Sequence, residues 1–113
     1  MALKSSNKRP WGHWTDLARV KGYRVKRIVV NPRARLSLQK HKLRSEHWIV
    51  VSGSGSVLVD YDEFEIRPGD TVDIPAGMVH RLAGGPKGIV VIETQLGQPS
   101  ERDIVRLQDD YGR

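Results

Sequence analysis

The chain has 113 residues, a formal net charge of +6 and no cysteine. That length holds one domain and not two, and the lack of cysteine excludes disulfides, cysteine-based zinc sites and a thiol nucleophile. No run approaches the ~18 apolar residues of a membrane span and the first ten residues carry no apolar signal core, so a cytoplasmic setting without membrane contact is expected.

Lys and Arg are spread along the chain, with no nucleic-acid module and no aromatic RNP-like pattern. The basic balance therefore points to a small anionic ligand and away from nucleic acid. Residues 1 to 9 read as a loose arm, and the whole of 1–20 as an arm packing on a barrel formed by 21–113. Arg9-Pro10-Trp11-Gly12-His13-Trp14 reads as an irregular, turn-rich aromatic segment whose tryptophans cover a barrel end or an oligomer contact.

Gly22 marks a turn, and Tyr23 to Val30 then reads as a strand, alternating apolar and basic residues before becoming wholly apolar. Asn31-Pro32 breaks it. From Arg35 to His41 the alternation is clean: Arg35, Ser37, Gln39 and His41 share one face, and Leu36, Leu38 and Lys40 the other. A polar row aimed at an interior marks a site. The leucines then need a second cover, and a homodimer is expected to supply it.

His47 to Val51 reads as a strand closed by Ser52-Gly53-Ser54-Gly55. Ser56 to Asp60 and Glu63 to Ile66 read as a hairpin around Tyr61-Asp62, whose acidic cluster, Asp60, Asp62, Glu63 and Glu65, is a solvated turn. Arg67-Pro68-Gly69-Asp70 is a turn, Thr71 to Ile74 a short strand, Gly84 to Gly88 a loop, and Ile89 to Gln95 the most hydrophobic strand. Ser100-Glu101-Arg102-Asp103 resembles a capped helix start, although Ile104 to Leu107 is β-like. Short strands between Gly/Pro turns make the chain all-β, an antiparallel sandwich or jelly roll.

Gln39, His41, Glu46 and His80 offer one amide, two imidazoles and one carboxylate, a four-ligand set for a divalent metal. Nitrogen and oxygen donors without sulfur suit Zn, Mn, Co, Ni or Fe. By alternation His47 faces away from Glu46 and is an outer-face residue.

These residues resemble the two motifs of the cupin superfamily. Gln39, His41, Glu46 and Gly53 fall at the spacing of the first motif, with Arg33 where its opening glycine stands. Gly69, Pro75, Gly77 and His80 fall at the spacing of the second, with Gly84 in the place of its closing Asn. Arg9 to Gly12, Val25 to Val30, Leu36 to His41, Arg44 to Trp48, Ile74 to Gly77 and Asp103 to Arg113 further resemble type II mannose-6-phosphate isomerase, the domain that usually ends a bifunctional mannose-1-phosphate guanylyltransferase. Lys42 and Leu43 stand where that family often has histidines, and the nucleotide-binding Gly-rich part is not in this sequence.

The resemblance implies a cupin jelly-roll barrel that interconverts mannose 6-phosphate and fructose 6-phosphate through an enediol, with one metal ion as Lewis acid. Glu46 or Glu93 is the candidate proton shuttle. Arg35, Arg44, Arg81 and Arg106 are the candidate phosphate ligands. The alternatives are a non-catalytic sugar-phosphate-binding cupin, a partner subunit of a separate guanylyltransferase, or another cupin chemistry such as an oxygenase.

Overall fold

The computed structural model describes residues 6–113, and every element in them is a β-strand. In chain order these are β1 (Ser6–Arg9), β2 (Gly12–Val20), β3 (Tyr23–Val30), β4 (Leu38–Lys40), β5 (Arg44–Val59), β6 (Asp62–Ile66), β7 (Thr71–Ile74), β8 (His80–Gly97) and β9 (Val105–Gln108). No helix among these residues is long and apolar enough to cross a membrane. Of the expected loose arm, residues 1–5 lie outside the described residues, and the remainder is β1.

The two long strands organise everything else. β5 and β8 run antiparallel along nearly their whole length. Their Arg44–Gly53 and Ile89–Gly97 halves lie in one layer, extended by β7 beyond β5 and by β3, β2 and β1 beyond β8. Their Gly55–Val59 and His80–Gly84 halves lie in the other, extended by β6 and by β4 and β9. The all-β jelly roll expected from the turn rhythm is what the chain forms.

Continuity of β5 and β8 corrects two expected breaks. Ser52 to Gly55 does not end a strand, and Gly84 to Gly88 is not a loop. Glycine there serves close backbone approach instead. A Cβ on Gly53 would lie 2.2 Å from the Gly88 carbonyl oxygen, and one on Gly55 would lie 2.1 Å from that of Ala83. The ladder passes through register shifts at these points, which bend both strands from one layer into the other.

Three further readings change. Gly12 to Val20 is regular strand, and Trp11 and Trp14 belong to the buried core. The hairpin after β5 turns at Asp60-Tyr61, one residue earlier than expected, with Asp60 in the left-handed region at φ 57°. Ser100 starts no helix: its hydroxyl accepts from the Arg102 N–H, but the chain turns and continues as β9. Arg33, standing where a glycine was expected, has φ 58°, so the position keeps the left-handed backbone that favours glycine.

The alternation between Arg35 and His41 also breaks. Residues 34–37 form no named strand, and Leu36 and Ser37 are both buried. Leu36 joins the core of its own chain, so it has its cover without a second copy.

Candidate metal centre

His41, just past β4, Glu46 in β5 and His80 at the start of β8 converge inside the barrel. Their ligand atoms all lie within 4.8 Å of one another, and all three residues are buried. Two backbone contacts fix this. Gln39 pairs in register with His80, and the Gly77 N–H donates to the His41 carbonyl at 2.6 Å, which ties the Pro75-Ala76-Gly77 turn to the first motif.

Both rings are oriented from behind. His41 Nδ1 lies 2.6 Å from the Asp103 carbonyl oxygen and His80 Nδ1 lies 3.0 Å from that of Met78. A carbonyl only accepts, so each Nδ1 carries the proton and each Nε2 is a lone-pair donor. Burial, then the Arg44 charge, pushes His41 down to about 4, and burial lowers His80 likewise. Both imidazoles are therefore neutral near pH 7, the form that takes a metal. His80 Nε2 is buried and has no hydrogen-bond partner.

Glu46 stands between them, with Oε2 3.2 Å from His41 Nε2 and Oε1 3.7 Å from His80 Nε2. Trp48 Nε1 donates to Oε1. Arg44 donates to Oε2 from Nε at 2.9 Å, with Nη2 at 2.8 Å, and Nη2 also donates to His41 Nε2 at 3.1 Å. An orphaned imidazole nitrogen, a second lone-pair nitrogen and a carboxylate in one place fit a divalent ion. Arg44 is the cation that shares two of those three donors in the chain itself.

Glu93 is the second carboxyl of the interior. Burial, the Glu46 charge and a hydrogen bond with Glu46 raise it to about 8. Gln95 Nε2 donates to its Oε1 at 2.5 Å. A cavity of about 130 Å³ joins Glu93 to Gln39, His41, Arg44 and Arg106, with Lys26, Trp14 and Glu101 also in its wall. Gln39 thus faces the same space, its Oε1 accepting from Ser37.

Of the four arginines expected to meet phosphate, Arg44 and Arg106 line this cavity. Arg35 and Arg81 are not in its wall. Arg35 is bound to Asp110 by two bonds of 2.6 and 2.9 Å, and Arg81 donates to the Leu36 carbonyl and to Gln108. His47 is on the outer face, paired with Asp73. Lys42 and Leu43 are exposed, and their N–H groups donate to the Asp103 carboxylate. Burial would raise that carboxyl, but these two bonds hold it below its usual range.

Sequence reasoning passed over Arg24, Lys26, Glu101 and Asp103. For the first two a signal existed. Ile28 and Val30 are inward, and a period of two carried back from them makes Lys26 and Arg24 inward as well, as both are.

A family model described as mannose-6-phosphate isomerase C-terminal matches residues 1–109. The alginate biosynthesis protein AlgA of Pseudomonas aeruginosa is 46% identical over 107 residues, covering 93% of this chain and 22% of that protein. The xanthan biosynthesis protein XanB of Xanthomonas campestris pv. campestris is 43% identical, covering 93% and 23%. A mannose-1-phosphate guanylyltransferase of Escherichia coli is 39% identical, covering 93% and 22%. The chain thus spans less than a quarter of these relatives' length. Among solved structures, oxalate decarboxylase from Bacillus subtilis superimposes with a TM-score of 0.82 at 18% identity, covering 92% of this chain and 30% of that one. The capsular polysaccharide assembling protein CapF of Staphylococcus aureus gives 0.80 at 21%, covering 96% and 33%. These two likenesses speak to the fold.

Proposed function

Since the chain belongs to the family of mannose-6-phosphate isomerase C-terminal domains, we propose that it interconverts mannose 6-phosphate and fructose 6-phosphate. The observation that carries this reading is a buried two-imidazole, one-carboxylate donor set, one of whose imidazoles, His41, lines a cavity together with a second carboxyl, Glu93, held near 8. His41, Glu46 and His80, with Gln39 beside them, would hold one divalent ion of the Zn, Mn, Co, Ni or Fe kind. When bound, that ion supplies a Lewis acid for the sugar oxygens at C1 and C2.

The chain's own residues do the rest. Glu93 takes the proton from C2 of the open-chain aldose and returns it at C1, while the O2 hydroxyl proton passes to O1 across the enediol. A shuttle works best when its pKa lies near the operating pH, and a value of about 8 puts Glu93 there. The Gln95 bond on Oε1 fixes the plane of the carboxyl that does this. Arg44 supplies guanidinium donors to the phosphate, and Arg106 adds a further positive charge to the same wall. Asp103, Trp48 and Met78 hold His41, Glu46 and His80 in their working orientations. Product supply to the synthesis of a polysaccharide fits the relatives' names.

Arg44 seated on Glu46 and His41 favours a second reading, in which the cavity binds a sugar phosphate without metal or turnover, as a subunit beside a separate guanylyltransferase. A coupled assay separates the two. The first reading expects turnover that a chelator removes and one of the five ions restores. It also expects Glu93→Gln to lower kcat by about 100-fold or more with metal content unchanged. No turnover with any ion overturns it in favour of the second.

A further inference from the structure

Lys26 and Arg24 are charged side chains on the inner face of β3, 4% and 3% exposed. The carboxylate they share does not come from the neighbouring strands. It is Glu101, in the strap between β8 and β9, whose side chain is 42% exposed. Its Oε2 lies 2.7 Å from Lys26 Nζ, 3.2 Å from Arg24 Nη1 and 3.9 Å from Arg44 Nη1. The cations are set firmly. Trp14 lies 3.8 Å from Lys26 Nζ and 5.2 Å from the Arg24 guanidinium, and Asp16 holds the other edge of Arg24 by two bonds. One exposed carboxylate thus meets three buried cations.

The cavity wall makes the imbalance larger. It carries Arg9, Lys26, Arg44, Arg106 and Arg113 against Glu93 and Glu101 alone. Arg113 has Asp109 as partner. Asp16 also pairs with Arg24 and Glu46 with Arg44, but only one carboxylate, with one charge on two oxygens, stands where the three cations converge. A phosphate monoester, with close to two charges and three terminal oxygens, is a better match. Arg44 also reaches from Glu101 to Glu46 and His41, so an anion at the Glu101 position sits one side chain from the metal donors.

We propose that Arg24, Lys26 and Arg44 form the phosphate site of the cavity, and that Glu101 occupies it as an internal stand-in which the ligand's phosphate displaces. The assignment rests on the sugar-phosphate reading of the cavity, but it can be tested without metal or turnover. Binding of inorganic phosphate to the metal-free chain is followed by calorimetry and by the Trp14 indole N–H resonance.

Glu101→Gln, which keeps the shape and removes the charge, is expected to tighten phosphate by about 10-fold, as when a competitor filling nine-tenths of the sites is removed. Lys26→Met, an apolar side chain of similar length at a buried position, is expected to abolish binding while the fold persists. In the wild-type chain, phosphate is expected to speed amide exchange at residues 100–102, since it expels Glu101. Unchanged or weaker phosphate binding in Glu101→Gln, or protection of the strap by phosphate, overturns the proposal. Tighter binding in Glu101→Gln without isomerase turnover under any ion leaves the phosphate site standing and removes the isomerase reading alone.

Discussion

The interior of this barrel has two ends that the same three strands build differently. Along β3 the inward residues are Arg24, Lys26, Ile28 and Val30; along β8, Gln95, Glu93, Val91 and Ile89; along β5, Arg44, Glu46, Trp48 and Val50. Register places Lys26 opposite Glu93, and Glu93 opposite Trp48. Each strand is polar for two inward positions and then apolar. The boundary crosses all three at nearly the same height. The apolar end is a close-packed core whose side chains each contribute about 1.5–3 kcal/mol of burial. The polar end costs desolvation and is tolerable only because nearly every group in it has a partner. A fold with one end for stability and one for chemistry can lose either separately.

The largest effect belongs to the apolar end. Leu82→Ala removes a side chain that is 1% exposed, and about 2–5 kcal/mol of stability is expected to go with it. Below the lowered melting temperature, metal content should stay at the wild-type level. Loss of metal together with stability would show that the two ends are one cooperative unit.

The polar end gives the converse. His80→Ala is expected to lower metal affinity beyond the ~10–100-fold that loss of an orienting partner costs, measured by elemental analysis after dialysis. Stability should move much less than in Leu82→Ala. The variant loses packing, but it also removes a buried nitrogen that has no partner. Full metal retention would sink the donor assignment, and collapse of the fold would sink the division between the ends.

How much of this was legible in the sequence follows the same line. His41, Glu46 and His80 could be picked out because motif spacing and strand alternation are local patterns, and the structure brings those three together. Gln39, from the same pattern, lines the cavity beside His41. The inward turn of Lys26 and Arg24 was written in the period of β3, but the pair was read only as the basic half of an alternating strand. The Glu101 and Asp103 contacts were not legible. Each joins a strap to a residue some 60 to 77 positions earlier, and no local pattern encodes such a distance. Gly53 and Gly55 misled for a related reason. A glycine that ends a strand and one that lets two backbones touch look alike until the partner strand is known.

The smallest effect tests how the polar end is held from its rim. Asp16, partly exposed on β2, accepts from buried Arg24 at 2.7 and 2.9 Å. That bond, helped by the Arg24 charge, holds the Asp16 carboxyl below its ordinary value of 3.8. Between the folded value and the unfolded one the unfolded chain binds more protons, so stability rises with pH across that window. The contribution is complete above the unfolded value and disappears as pH falls through the folded one. Asp16→Asn should therefore cost about 1 kcal/mol at pH 7, a modest figure because the carboxylate is partly solvated. The gap between variant and wild type should close as both are acidified toward pH 2. Glu101 would remain on Arg24 at 3.2 Å, so metal content should not change. A gap that stays constant with pH would mean that Asp16 acts through packing alone, and that Arg24 needs no anion from the rim to stay inside.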